Sequence, residues 1–250
     1  MQDARPASTP LPTGYYPQKY TGNVNHKLQK RFQTLIGSLL YLMLGTRPDI
    51  AFTVTQLAWH TANPFLDHYN RALYICCYLV GAQNYSLVYR GESGLGVYAH
   101  TDSDWASNLE NRRSQTGYYL MIASGVFSWT SRAQRTIALS STEADYMALL
   151  DCSRQCVWIR SILLELGYNF GSIPINGDNQ GSIFISSNPV TESRNKHIDI
   201  RFHAIRKFVA QGKVKLFYIE GSKNPADLFT KNLGQIKFWK FRDQLGLVFY

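Results

Sequence analysis

The sequence predicts an α/β fold: a mixed five-stranded sheet with flanking helices, preceded by a small helical unit. Three observations carry this. From about Lys27 to Val80 apolar residues recur at three- and four-residue spacing, the period of amphipathic helices. After Tyr85 the texture changes to short β-prone runs separated by turn residues. The last two strand-like runs are separated from the rest by helical patterns. Hairpin-linked strands first and helix-separated strands later, in the order βββαβαβα, describe a mixed sheet covered by helices.

Residues 1 to about 20 are rich in Pro, Ser, Thr and Gly and read as a linker or extended arm. A start inside such a segment suggests a piece of something longer. Leu28, Phe32, Leu35, Ile36, Leu39, Leu42 and Met43 then mark one face of a first helix. Pro48 and Asp49 open a second, with Ile50, Val54, Leu57 and Ala58 on one face, and Asn63-Pro64 ends it. A third turns Leu73, Cys76 (or Cys77) and Val80 inward. These helices read as packing structure, without chemistry of their own. The runs SLVYR, LGVYAHTDSDWAS, GYYLMIASGVFSWTS and TIALS are strand-like. A long helix follows over Ser140 to Gly167, then the strand PINGD, a helical or loop stretch to about Asn195, and a helix from Ile198 to Gly212. The strand VKLFYIE and a last helix starting at Asn224-Pro225 complete the order.

Composition narrows the function classes. At 250 residues, 45% hydrophobic and 14% aromatic, the chain can bury a sizeable core, which excludes global disorder and a disulfide mini-protein. With 26 Lys+Arg against 17 Asp+Glu, the net charge is +9. That surplus favours a polyanionic partner, nucleic acid before a membrane surface. Cys76, Cys77, Cys152 and Cys156 form neither a disulfide framework nor a zinc spacing, and read as reduced cysteines of an intracellular protein. The N-terminus lacks the apolar core of a signal peptide, and LIGSLLYLMLG is too short to span a bilayer. No membrane partner is expected.

In so basic a chain the placement of acids is informative. Asp102 and Asp104 end the strand LGVYAHTD, Glu143 and Asp145 lie in the first turns of the long helix, Asp178 ends PING, and Asp227 opens the final helix. Strand carboxyl ends and helix amino ends gather on one edge of an open sheet, where ligand sites form. Carboxylates meeting there repel unless a cation lies between them. Hard divalent ions take such oxygens, and two of them about 3.5–4 Å apart stabilise both oxygens of a phosphodiester displacement. For any one of these residues taken singly, helix capping is the simpler account.

The runs YAHTDSDWASNLENRRSQTGYYL, VFSWTSRAQRTIALSSTEADYMALL, DNQGSI, NKHIDIRFHAIRKFV and NPADLFTK resemble the C-terminal part of the Pol polyprotein of copia-type retrotransposons, a ribonuclease H domain. The preceding LIGSLLYLMLGTRPDIAFTV resembles the end of the reverse transcriptase in the same polyproteins. The likeness covers about residues 8 to 240. It divides the chain into an arm (1–20), a thumb- or connection-like helical segment (21–90), a ribonuclease H-like domain (91–235) and a C-terminal tail (236–250). The polymerase Tyr-x-Asp-Asp turn is absent, so polymerisation by this chain alone is not expected. The resemblance implies hydrolysis of the RNA strand of RNA–DNA hybrids during reverse transcription. It implies two Mg²⁺ ions, or Mn²⁺ in their place, on four carboxylates, with one ion activating water, the other stabilising the leaving 3′-oxygen, and a 5′-phosphate on the product. It implies the remainder of reverse transcriptase or Pol as a further partner, and a cytoplasmic particle or the nucleus as location.

Matched by motif, Asp102 is the metal-bridging aspartate, Asp178 in GDNQ ends the fourth strand, and Asp227 in NPADLF is the last aspartate. Glu143 and Asp145 are alternatives for the second acid, because the family reads Ser-Ser-Thr-Glu-Ala-Glu-Tyr and this chain SSTEADY. Two residues apart is about 200° around a helix, so the two cannot face the same ions. Ser140 with Glu143 makes a capping box. Asp145 begins the stripe Ala148, Leu149, Cys152, Cys156, Ile159 and Leu163, which should lie on the sheet. Asp145 is therefore favoured. Its side chain is one methylene shorter than the family's Glu, which leaves a second reading: an impaired or co-opted copy that binds nucleic acid without cutting.

For substrate grip, seven basic residues and one acid fall between Arg194 and Lys215. Arg194, Lys196, Arg201, Arg206 and Lys207 are candidates for phosphate contact, which gives affinity without reading sequence. Arg112 and Arg113, in the expected first hairpin loop, are either a solvated loop or a further phosphate contact. Lys231, Lys237, Lys240 and Arg242 add positive charge toward the C-terminus.

Overall fold

Asn25 starts the first helix by accepting a hydrogen bond from the Leu28 amide (3.1 Å). In the computed structural model, which describes residues 4–91, 96–187 and 204–249, α1 runs His26–Gly45, a 3₁₀ turn Pro48–Ile50, α2 Ala51–Ala58 and α3 Leu66–Gly81. The chain divides into two units: Met1–Val88 with Lys231–Tyr250, and Tyr89–Thr230.

In the first unit α1 buries Phe32, Ile36, Leu39 and Met43 of the expected face, while Leu28 and Leu35 are partly covered and Leu42 is exposed. The third helix turns a different face inward. Its buried residues are His68, Ala72, Ile75 and Tyr78, while Leu73, Cys76 and Val80 are only partly covered. A buried polar group decides this. The Tyr78 hydroxyl donates to Asp49 (2.5 Å), and Asp49 takes both Arg47 Nε (3.0 Å) and Nη2 (2.8 Å). A buried charge pair needs its remaining lone pairs satisfied, so the amphipathic tyrosine outranks the aliphatic stripe.

The expected arm also belongs to this unit. Leu11 is fully buried, and the Ala7 amide donates to the Cys77 carbonyl. The expected tail is folded as well: α7, Gln235–Gln244, buries Phe238 and Phe241, and β7, Leu247–Phe249, pairs antiparallel with β1, Tyr85–Leu87. The run SLVYR is thus part of a separate two-stranded ribbon. Arg242 is buried, its guanidinium 3.7 Å from the Tyr85 ring centroid, so it is no loose surface cation.

The second unit holds the mixed sheet. β2 (Tyr98–Asp104), β3 (Gln115–Ile122) and β4 (Gly125–Ala133) are antiparallel neighbours. Ala123 and Ser124, both at positive φ, make the two-residue turn between the last two. β5 (Ile173–Gly177) lies parallel to β2, and β6 (Val214–Tyr218) parallel to β5, giving the order β4-β3-β2-β5-β6. The long helix α4 (Ser141–Glu165) crosses β2, β3 and β5, and places Leu149, Cys152, Cys156 and Ile159 in one core with Ala99, Leu120, Ile173, Ile175 and Val214. A short α5 (Gln180–Ser187) follows β5, and of the described residues of the expected Ile198–Gly212 helix, 204–210 form α6 and 211–212 a turn.

Two expected elements differ. TIALS is not a strand, and its Ile137 and Leu139 are exposed. Asn224-Pro225 opens only a 3₁₀ turn, Pro225–Phe229, with α7 beginning ten residues after Pro225. Among the described residues no helix is long and apolar enough to cross a membrane.

His68 makes the first unit sensitive to acid. Its Nδ1 accepts from the Phe65 amide and its Nε2 donates to the Gln18 carbonyl (2.9 Å), a pattern only the neutral ring can make. Burial, and secondly the neighbouring His60, lower its pKa to about 4. A lowered histidine pKa means the unfolded chain binds the extra proton, so stability present above pH 6.5 is lost as pH falls toward 4. Denaturant melts should show roughly 2 kcal/mol less stability at pH 5 than at pH 7 from this residue, a difference that His68→Phe removes.

Candidate metal centre

Asp102 sits in the central strand β2, two residues before its carboxyl end, and is 3% exposed. Asp178 directly follows β5, the parallel neighbour. Asp145 lies in the second turn of α4, whose N-terminus Ser140 fixes by accepting from the Glu143 amide (3.1 Å). Each of the three offers a carboxylate oxygen, and these atoms lie within 4.8 Å of one another. Thr101, Leu149, Gly177, Asn179, Ser182 and Ile183 line the rest of the cleft around them.

The cluster is held by donors from other elements. The Ser103 hydroxyl donates to one Asp145 oxygen (2.7 Å) and Asn179 Nδ2 to the other (2.9 Å). Asn179 is itself fixed, because its Oδ1 accepts from the Ser182 amide (2.8 Å) at the start of α5. The fully buried Thr230 hydroxyl donates to Asp102 Oδ2. Beside Asp178, a Cβ at Gly221 would come within 2.9 Å of its carboxylate, so the chain after β6 passes the site at glycine distance.

Of the sequence-predicted acids, the structure brings Asp102, Asp145 and Asp178 together. Glu143 is elsewhere: its carboxylate accepts from the Leu139 amide (2.8 Å), one residue before the Ser140 cap, so the expected capping box forms only its Ser140 half and Glu143 reaches one residue further back. Asp227 is buried in the Pro225–Phe229 turn, and its carboxylate is not one of the three clustered groups. Its backbone is linked to the cluster through Thr230, whose amide donates to the Asp227 carbonyl (3.1 Å) and whose hydroxyl reaches Asp102. The turn is anchored on β2 by the fully buried Asn224, whose Nδ2 donates to the Thr101 carbonyl (2.9 Å). Asp104 is still in strand β2, opposite Gln115, and outside the cluster.

Among the basic candidates, Arg112 and Arg113 are exposed in the β2–β3 loop and Lys207 is exposed on α6. Arg206 is partly buried, and its Nε donates to the Ile185 carbonyl (3.0 Å), a tie between α5 and α6. Arg194, Lys196 and Arg201 lie outside the described residues. The donors Ser103, Asn179, Asn224 and Thr230 escaped the sequence reading. Their signal was adjacency to the acids within DSD, DNQ and NPADLFT.

Three antiparallel strands continued by two parallel ones, with helices on the sheet and acids at the carboxyl ends of the two central strands, make the second unit ribonuclease H-like. No protein-family model matches the chain. Its sequence is 33% identical over 252 residues to the retrovirus-related Pol polyprotein from transposon TNT 1-94 of Nicotiana tabacum, covering 99% of this chain and 19% of that protein. It is 32% identical over 251 residues to the corresponding polyprotein from transposon RE2 of Arabidopsis thaliana, covering 99% and 17%. Among solved structures, a ribonuclease H1 isolated from compost by a metagenomic approach superposes with a TM-score of 0.42 at 14% identity, covering 54% of this chain and 92% of that one. Over 99% of its own length the chain is thus similar to retrovirus-related Pol polyproteins of plant transposons, and it spans under a fifth of the length of these two relatives.

The two acids of SSTEADY should separate cleanly in solution. Glu143→Gln is expected to lower stability by up to about 1 kcal/mol through the weakened cap, with Mn²⁺ affinity measured by calorimetry unchanged. Asp145→Asn should weaken Mn²⁺ binding instead.

Proposed function

We propose that this chain carries the ribonuclease H activity of a copia-type Pol, hydrolysing the RNA strand of RNA–DNA hybrids in a divalent-metal-dependent reaction. The observation that carries the proposal is the convergence of Asp102, Asp145 and Asp178 at one edge of the sheet. Their donor atoms are all carboxylate oxygens, one residue is buried, and the ligand atoms are close enough to share an ion. That set fits a hard cation, Mg²⁺ or Mn²⁺. We extend it to Asp227, because Thr230, whose amide and hydroxyl both meet the Asp227 carbonyl, also touches Asp102.

Two Mg²⁺ ions bound there would supply an activated water and charge stabilisation at the leaving 3′-oxygen. The chain's own work is to bind and to orient. Asp102 on β2 and Asp178 just past the end of the parallel β5 have the spacing of their ligand atoms fixed through the sheet. Asp145 enters from α4 with both oxygens oriented by Ser103 and Asn179. Arg112, Arg113 and Lys207 offer exposed positive charge to the sugar–phosphate backbone, where contacts give affinity without sequence preference. Preference for a hybrid would come from groove shape and the 2′-hydroxyl. The remainder of Pol is the proposed further partner.

A labelled RNA–DNA hybrid with Mg²⁺ tests this. The RNA strand should be cut to products with 5′-phosphates, chelation should stop the reaction, and Asp102→Asn should slow it at least about 100-fold with folding retained. Asp145→Glu should keep or raise the rate. Hybrid binding without any metal-dependent cut would identify the non-cutting copy.

A further inference from the structure

We propose that Thr230 is the positioning residue for the carboxylate of Asp102, and that the 3₁₀ turn Pro225–Phe229 exists in this form to deliver its hydroxyl there. The inference rests on the reading of Asp102 as a metal ligand. Asp102 and Thr230 are 128 residues apart, both buried, and joined by a hydrogen bond from the threonine hydroxyl to Asp102 Oδ2. A carboxylate has only weak torsional preference of its own, so a fixed donor on one oxygen sets the plane in which the other can meet a ligand.

A second, independent feature shows that this approach is built. Asp102 faces Gly117 across the antiparallel β2–β3 pair. A Cβ placed on Gly117 would lie 2.7 Å from Phe229 Cβ, 2.7 Å from Thr230 Cγ2 and 3.1 Å from the Phe229 carbonyl carbon. Any other residue on β3 at that position would push the turn off the sheet and take the hydroxyl with it. The turn is also fastened at its other end, where Asn224 caps Ala226 (3.2 Å) and donates to the Thr101 carbonyl, the residue before Asp102. The turn is thus fixed at both ends, and the Ser131 hydroxyl on β4 also holds it by donating to the Phe229 carbonyl (2.7 Å).

The test uses the full chain and Mn²⁺ alone as probe, by calorimetry, beside the Mg²⁺ dependence of hybrid cleavage. Thr230→Val keeps the shape and removes the donor. It should weaken Mn²⁺ binding about 10-fold or more and raise the Mg²⁺ concentration needed for half-maximal cleavage by a similar factor. Thr230→Ser keeps the donor and should bind as the parent does. Gly117→Ala should reproduce the Thr230→Val defect with Thr230 intact. Parent-like Mn²⁺ affinity in Thr230→Val, or an equal loss in Thr230→Ser, overturns the positioning role while leaving the metal centre standing. No Mn²⁺ binding by the parent chain overturns the metal reading itself, and this inference with it. Should Thr230→Val fail to fold, the Gly117→Ala and Thr230→Ser pair decides: loss in the first with retention in the second supports the role, and any other pattern overturns it.

Discussion

Like charge held at short range is the constraint around which the second unit is arranged. Three carboxylates with ligand atoms inside 4.8 Å repel one another, each pair by roughly 4 kcal/mol at the effective dielectric of a protein surface. A hydrogen bond to an ionised group returns about 1.5–3 kcal/mol. The donors from Ser103, Asn179 and Thr230 therefore offset part of the repulsion and fix the geometry of the rest. A divalent cation answers the remaining field directly.

The sheet solves the positional part of this problem cheaply. Asp102 and Asp178 need no special local conformation, because parallel pairing of β2 and β5 sets their separation. The costs fall on the segments that pass close by. Gly117 gives up a side chain in the middle of β3, and Gly221 does the same beside Asp178. Close approach explains these glycines better than flexibility does, of the Phe229–Thr230 segment at Gly117 and of the Asp178 carboxylate at Gly221, since neither glycine has a positive φ.

What could be read beforehand follows from how local each signal is. The helix α4, its Ser140 cap and its buried stripe were legible because capping and 3.6-residue periodicity are written within 25 residues. Assigning Asp145 to the sheet side and Glu143 to the cap needed only that helix geometry. The face of α3 was not legible, because Tyr78 turns inward for Asp49, 29 residues away, against the pull of its own aliphatic neighbours. The expected tail failed for a similar reason: Phe238, Phe241 and Leu247 find their burial in a unit whose other part ends at Val88. The donors around the acids span 34, 42 and 128 residues, and no periodicity records such pairs.

The departure at position 145 is best understood through those donors. The family's glutamate would reach one methylene further into the cleft and could choose its own torsions there. The aspartate has less reach, yet its oxygens already belong to the cluster, because α4 packs across β2 and brings the helix close to the strand end. Ser103 and Asn179 each hold one of its oxygens, and Asn179 is in turn held by the α5 amide of Ser182. Asp145 is thereby kept from turning away from Asp102 and Asp178. On the proposed reading of Asp145 as a metal ligand, a shorter side chain with a fixed carboxylate would stand in for a longer one with a free torsion, exchanging adaptability for preorganisation. On this account the shortened side chain is compatible with an intact site, and the decisive feature at this corner is the donor pair rather than the missing methylene.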